Sequence, residues 1–265
     1  MRSTPARLGV ALVTGACALV AAAIALATNP PPMMTAHTGA KLKVLSPKTG
    51  TTLTATTLST LVSITDFKVD CRYAGTANRK GIGHYHIELD KSLVNMFCVP
   101  RGSISMLDVQ PGKHTVQFIP AANDHADDMK AMKQISFVYK PTQPLAAAKP
   151  LHFAGKPQVR IVSPKPGATV HGAFELVVAV KNFRLSCTLY GKAPVKGYGH
   201  WHANVDVTTM GMMGMGTMLG MSCANSFHAS LAGIKPGQHT FFAILEDNTH
   251  APTIGAKASV RLNVK

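Results

Sequence analysis

The stretch Gly83-His84-Tyr85-His86-Ile87-Glu88-Leu89-Asp90 occurs twice, its second copy being Gly199-His200-Trp201-His202-Ala203-Asn204-Val205-Asp206. In both copies apolar residues alternate with polar ones. That period of two is the strand period, and it puts the two histidines of each copy on one face and Tyr85, Ile87 and Leu89 (Trp201, Ala203 and Val205) on the other. Other anchors follow the same order. Val44-Leu45-Ser46-Pro47-Lys48-Thr49-Gly50 matches Ile161-Val162-Ser163-Pro164-Lys165-Pro166-Gly167, and Asp66-Phe67-Lys68-Val69-Asp70-Cys71 matches Asn182-Phe183-Arg184-Leu185-Ser186-Cys187. Pro111-Gly112-Lys113-His114-Thr115 matches Pro236-Gly237-Gln238-His239-Thr240, and His125 matches His250. The step is 116 residues from His84 to His200 and 125 from His125 to His250. The chain is therefore a tandem duplication with nine extra residues inserted between His202 and Cys223.

Within each copy, short β-branched runs are separated by Pro/Gly turns, and no long stretch keeps a helical period. The runs are Leu58 to Val69, Tyr85 to Leu89, Thr115 to Ile119 and Ile135 to Tyr139, then Phe174 to Val180, Trp201 to Val205, Thr240 to Leu245 and Ala258 to Val264. This pattern predicts an all-β chain of two tandem immunoglobulin-like β-sandwich domains. Residues 41–140 form repeat 1, 141–157 a Pro/Ala-rich linker, and 158–265 repeat 2 with its Met-rich insertion.

Arg2 and Arg7 precede an uncharged apolar run from Leu8 to Ala27, so residues 1–27 read as an export signal, with an uncleaved membrane anchor as the alternative. Residues 28–40 follow as a linker. Export places Cys71, Cys98, Cys187 and Cys223 in an oxidising compartment. Since each repeat owns one pair, the expected disulfides are Cys71–Cys98 and Cys187–Cys223. The formal net charge is +15, or +13 without Arg2 and Arg7. It is scattered rather than blocked, which argues against nucleic acid and fits a basic surface that attracts anionic envelope polymers.

Both copies resemble a family of small exported bacterial immunoglobulin-like domains of unknown function. The likeness lies in Ser163-Pro164-Lys165-Pro166-Gly167-Ala168-Thr169-Val170, in Gly199-His200-Trp201-His202 with Asp206, and in Pro236-Gly237-Gln238-His239-Thr240 followed by His250-Ala251-Pro252. The first copy departs from the pattern where Ala126-Asp127 replaces Ala251-Pro252. The resemblance implies fold and export but no activity.

In such a sandwich the loops at one end bring together residues distant in sequence. His84, His86 and His125 are thus expected to converge, as are His200, His202 and His250. Three neutral imidazoles suit Zn(II) or copper, and the thioethers of the insertion make zinc the less expected of the two. A solvated or hydrogen-bonded histidine cluster is the alternative. His114 and His239 are read as structural corner residues, and Asp90 and Asp206 as turn caps, with an outer contact to a histidine conceivable.

The insertion carries Met210, Met212, Met213, Met215, Met218 and Met221 among glycines, which predicts a mobile loop of soft thioether ligands for Cu(I), or a cover for an apolar surface. No catalytic signature stands out, neither a Ser-His-Asp order nor a phosphate loop. The expectation is a non-enzymatic, exported transition-metal binder that sequesters the metal or delivers it to an accepting protein. The alternative is an adhesion or scaffolding module for anionic envelope polymers.

Overall fold

A computed structural model describes residues 35–210 and 212–265. The expected signal or anchor at residues 1–27 and the start of the expected 28–40 linker lie outside the described residues. Repeat 1 contains β1 (Lys41–Ser46), β2 (Thr51–Leu53), β3 (Thr57–Thr65), β4 (Lys68–Val69), β5 (Ile82–Leu89), β6 (Ser92–Phe97), β7 (Arg101–Ser105), β8 (Gly112–Ala121) and β9 (Lys133–Tyr139). Repeat 2 contains β10 (Gln158–Ser163), β11 (Thr169–Val170), β12 (Ala173–Lys181), β13 (Arg184–Leu185), β14 (Tyr198–Val205), β15 (Met218–Ser222), β16 (Ser226–Ser230), β17 (Gly237–Glu246) and β18 (Pro252–Val264). Among the described residues there is no α-helix, in keeping with the β-branched runs between turns.

Each repeat is a sandwich of two sheets. In repeat 1 the order is β1-β3-β7 against β2-β9-β8-β5-β4, with β6 paired to β5. In repeat 2 it is β10-β12-β16 against β11-β18-β17-β14-β13, with β15 paired to β14. The run Leu58 to Val69 is two strands rather than one, because the chain turns at Asp66 with φ 60°. Each sandwich fills its interior from alternating strand positions. Tyr85, Ile87, Val116, Phe118 and Phe137 belong to one core, and Trp201, Ala203, Phe241, Leu245 and Leu262 to the other. The disulfides Cys71–Cys98 and Cys187–Cys223 close one sandwich each.

Among the described residues the insertion is hydrogen-bonded structure rather than the mobile loop its glycines suggest. In repeat 1, Asp90 and Lys91, both at positive φ, turn β5 directly into β6. In repeat 2 the chain instead runs through a 3-10 segment, Met212–Thr217, into β15. Hydrogen bonds hold it there. Asn204 Nδ2 donates to the Gly214 carbonyl at 2.9 Å, Gly216 N–H to the Met210 carbonyl at 2.7 Å, and the Thr217 hydroxyl to the Val207 carbonyl. The glycines permit close approach rather than motion: a Cβ on Gly216 would sit 2.7 Å from the Met210 carbonyl oxygen, and one on Gly220 would sit 2.6 Å from the Phe227 ring. Met215 and Met218 are consequently buried, Met221 is half-buried and Met210 exposed. The side chains of Met212 and Met213 lie outside what is described.

The stretch 35–40 is no free tether either. Ala36 N–H donates to the Asp127 carbonyl at 2.9 Å, and Thr38 binds Asp128 Oδ2 through its N–H at 2.7 Å and its hydroxyl at 2.8 Å.

Candidate metal centre

His84 and His86 stand on β5 with their apolar neighbours turned into the core. His125 lies beyond the end of β8 in a turn, at φ 62°. Pairing of β5 with β8, His84 opposite Ala121, brings that turn alongside β5. Three ring nitrogens then face one another. His84 Nε2 is 3.0 Å from His86 Nε2 and 3.0 Å from His125 Nδ1, and the remaining pair is 3.4 Å apart. Repeat 2 repeats the figure with His200, His202 and His250 at 3.0, 3.0 and 3.3 Å. Three imidazoles at 2.0–2.1 Å from a tetrahedral ion would have their nitrogens about 3.3 Å apart. Either trio can hold a metal ion with little movement.

The outer nitrogens fix which inner ones carry lone pairs. His125 Nε2–H donates to the Met218 carbonyl at 2.7 Å, which leaves Nδ1 unprotonated and pointing inward. His250 does the same through the Leu93 carbonyl at 2.8 Å. His86 Nδ1–H donates to Asp127 Oδ1 at 2.8 Å, so its Nε2 is also a lone pair. The Nδ1 atoms of His84 and His200 are buried with no hydrogen-bond partner among the described residues. Orienting a ligating imidazole through its second nitrogen is the usual device of metal sites.

Burial also favours the neutral form of five of these rings. It pushes His84, His200 and His202 well below the ordinary imidazole value, with the charges of neighbouring rings adding to the effect. His125 is pushed down to about 3 and His250 to about 4, again mainly by burial. Neutral imidazole is the form that binds metal.

The carboxylates near the trios come from positions the repeat pattern does not pair. Asp127 serves His86, while its counterpart in repeat 2 is Pro252. There the Glu246 carboxyl lies near His202 without hydrogen-bonding it, Oε1 being 3.9 Å from Nδ1, at a position occupied by Ala121 in repeat 1. Glu246 is 2% exposed, its Oε2 has no partner among the described residues, and burial, helped by the charge of Asp247, pushes its carboxyl up to about 9. Neither carboxylate was singled out from the sequence. The Ala126-Asp127 departure from the family pattern was the available signal for Asp127.

Asp90 and Asp206 make no outer contact to a trio; they fasten hairpins. Asp90 Oδ1 accepts from Thr115 N–H at 2.9 Å and Oδ2 lies 2.7 Å from His114 Nδ1, while His114 Nε2 is 2.8 Å from the Gln110 carbonyl. Asp206, Thr240, His239 and Lys235 reproduce this arrangement in repeat 2. His114 and His239 are corner residues.

Among the methionines, Met221 stands opposite His202 in the β14–β15 pairing, and Met96 stands opposite His86 in β5–β6. Directly opposed residues share a sheet face. Both are half-buried and both line one cleft of about 310 Å³ between the repeats. Met96 is missed by any search confined to the insertion, although the 125-residue step pairs it with Met221.

No protein-family model matches the chain, and no curated protein matches it significantly. Among solved structures, the fibronectin(III)-like modules of CbhA from Clostridium thermocellum are similar over 84% of this chain and 94% of theirs, with 12% identity and a TM-score of 0.26. The endo-beta-1,4-mannanase from Thermotoga petrophila is similar over 43% of this chain and 21% of its own, at 15% identity and a TM-score of 0.25. The N-terminal four Ig domains of Dscam1 isoform 4.44 are similar over 86% and 46%, at 10% identity and 0.21. Likeness at that level carries no inference about what this chain binds. The sandwich architecture stands on its own strand pairing.

Proposed function

We propose that the protein is an exported, non-catalytic binder of a transition metal that holds one ion in each repeat, for sequestration or delivery in the cell envelope. The observation that carries this is the convergence of three imidazole nitrogens within 3.4 Å of one another, twice. Three buried rings held this way are poorly explained as core packing, because each trio leaves a buried Nδ1 without a partner among the described residues. The metal we name is copper. Two soft thioethers, Met96 and Met221, stand register-opposite the middle histidines. The two disulfides support export.

Tag-free protein titrated with Cu(I) or Zn(II) and followed by elemental analysis should bind two ions tightly. His200→Ala with His202→Ala should leave one, and adding His84→Ala with His86→Ala should leave none. Unchanged stoichiometry in the first double variant refutes the reading.

A further inference from the structure

The histidines face away from the apolar interior of their own sandwich, yet His84 and His200 are fully buried and His86 and His202 nearly so. What encloses them includes the other repeat. The carbonyl that orients His125 of repeat 1 belongs to Met218 of repeat 2, and the carbonyl that orients His250 of repeat 2 belongs to Leu93 of repeat 1. The step of 125 residues that relates His125 to His250 also relates Leu93 to Met218. The two contacts are therefore one contact made twice about an internal pseudo-twofold axis, as in an isologous dimer.

A second pair of residues shows how closely the faces meet. Gly75 and Gly191 are equivalent, both at positive φ (74° and 66°), four residues after Cys71 and Cys187. A Cβ on Gly75 would stand 2.7 Å from the backbone of Met218, and one on Gly191 would stand 2.6 Å from the Leu93 oxygen. Only glycine lets each segment approach the strand whose carbonyl serves a histidine. Tyr190, next to Gly191, is buried in the core cluster of repeat 1 and lies edge-on to His200 with ring centroids 4.5 Å apart.

We propose that ion binding at either trio and docking of the two sandwiches form one linked equilibrium, so that the chain is a two-ion clamp and neither repeat holds its metal at full strength alone. This rests on the metal reading above. Undocking would release His125 and His250 from the carbonyls that fix their tautomers, so each Nδ1 would spend part of its time protonated or turned away. Losing such an outer partner lowers metal affinity roughly 10–100-fold. By linkage, an ion at one site must in turn favour docking, and through docking the other site.

The test reads one site while perturbing the opposite repeat. In full-length protein carrying His200→Ala and His202→Ala, only the repeat 1 trio remains. Zn(II) affinity is measured by competition with a chromophoric chelator, and folding is checked by fluorescence of the buried Trp201. Adding Gly191→Ala, in repeat 2, should weaken Zn(II) binding at repeat 1 about 10–100-fold. Gly172→Ala imposes the same kind of positive-φ strain (60°) with nothing within 4 Å of its Cβ, and should leave the affinity unchanged.

Equal affinity with and without Gly191→Ala overturns the linkage and leaves the metal reading standing. Absence of both Zn(II) and Cu(I) binding by the unmutated chain overturns both. Hydrogen exchange supplies a measurement that needs no glycine variant. In the His200→Ala, His202→Ala protein, Zn(II) at repeat 1 should slow exchange across residues 187–192 of repeat 2. Protection confined to repeat 1 contradicts the proposal.

Discussion

Glu246 gives a test of the site that needs no metal. Its carboxyl lies buried beside His202 with one oxygen unpartnered among the described residues, and burial raises it from an ordinary 4.5 to about 9. Between those values the folded chain keeps a proton that the unfolded chain has released. Its contribution to stability is thus intact below pH 4.5 and is lost progressively as pH rises toward 9, by about 1.4 kcal/mol per pH unit. Two other sets of groups bound the useful window. The depressed histidines run the opposite way: they cost stability only as pH falls below their unfolded value of 6.5. Lys192, pushed down to about 8 by burial, adds stability only as pH climbs beyond that value. From pH 6.5 to 8 Glu246 acts nearly alone, and the metal-free protein should lose about 2 kcal/mol there. Glu246→Gln keeps the size and removes the titration, so its stability should stay level across the window. Urea unfolding in the presence of a chelator, followed by the single tryptophan, Trp201, measures both proteins. Parallel profiles for wild type and variant would refute the reasoning, since they would mean the carboxyl is ionised and solvated in the fold.

Asp127→Asn should lower metal affinity at repeat 1 by about 10–100-fold and leave repeat 2 unchanged, because that carboxylate hydrogen-bonds His86 of repeat 1; competition titration in single-site backgrounds reads it. Asp206→Ala removes the acceptor for Thr240 N–H and the partner of His239, and puts alanine at φ 59°, so it should cost about 1–2 kcal/mol in a urea melt while metal stoichiometry stays at two.

Local rules sufficed for much of this protein. A period of two placed both histidine pairs on one face of β5 and β14, since side-chain alternation is a property of the strand itself. Duplication then assigned Cys71 to Cys98 and Cys187 to Cys223, and matched His125 with His250. The insertion misled the same kind of reading. Glycine signals conformational freedom in isolation, but here Gly214, Gly216 and Gly220 let carbonyls and the Phe227 ring come close, so Met215 and Met218 are enclosed rather than presented to solvent.

What only the tertiary structure decided lies across surfaces that no spacing records. Asp127 and Glu246 come near their trios from positions occupied by other residue types in the opposite copy, because a carboxyl group can arrive beside an outer nitrogen by more than one backbone route. The carbonyls of Met218 and Leu93 are backbone atoms common to every residue, so no side chain could have announced them. They orient His125 and His250 because two sandwiches pack face to face, and Gly75 and Gly191 leave no side chain in the way.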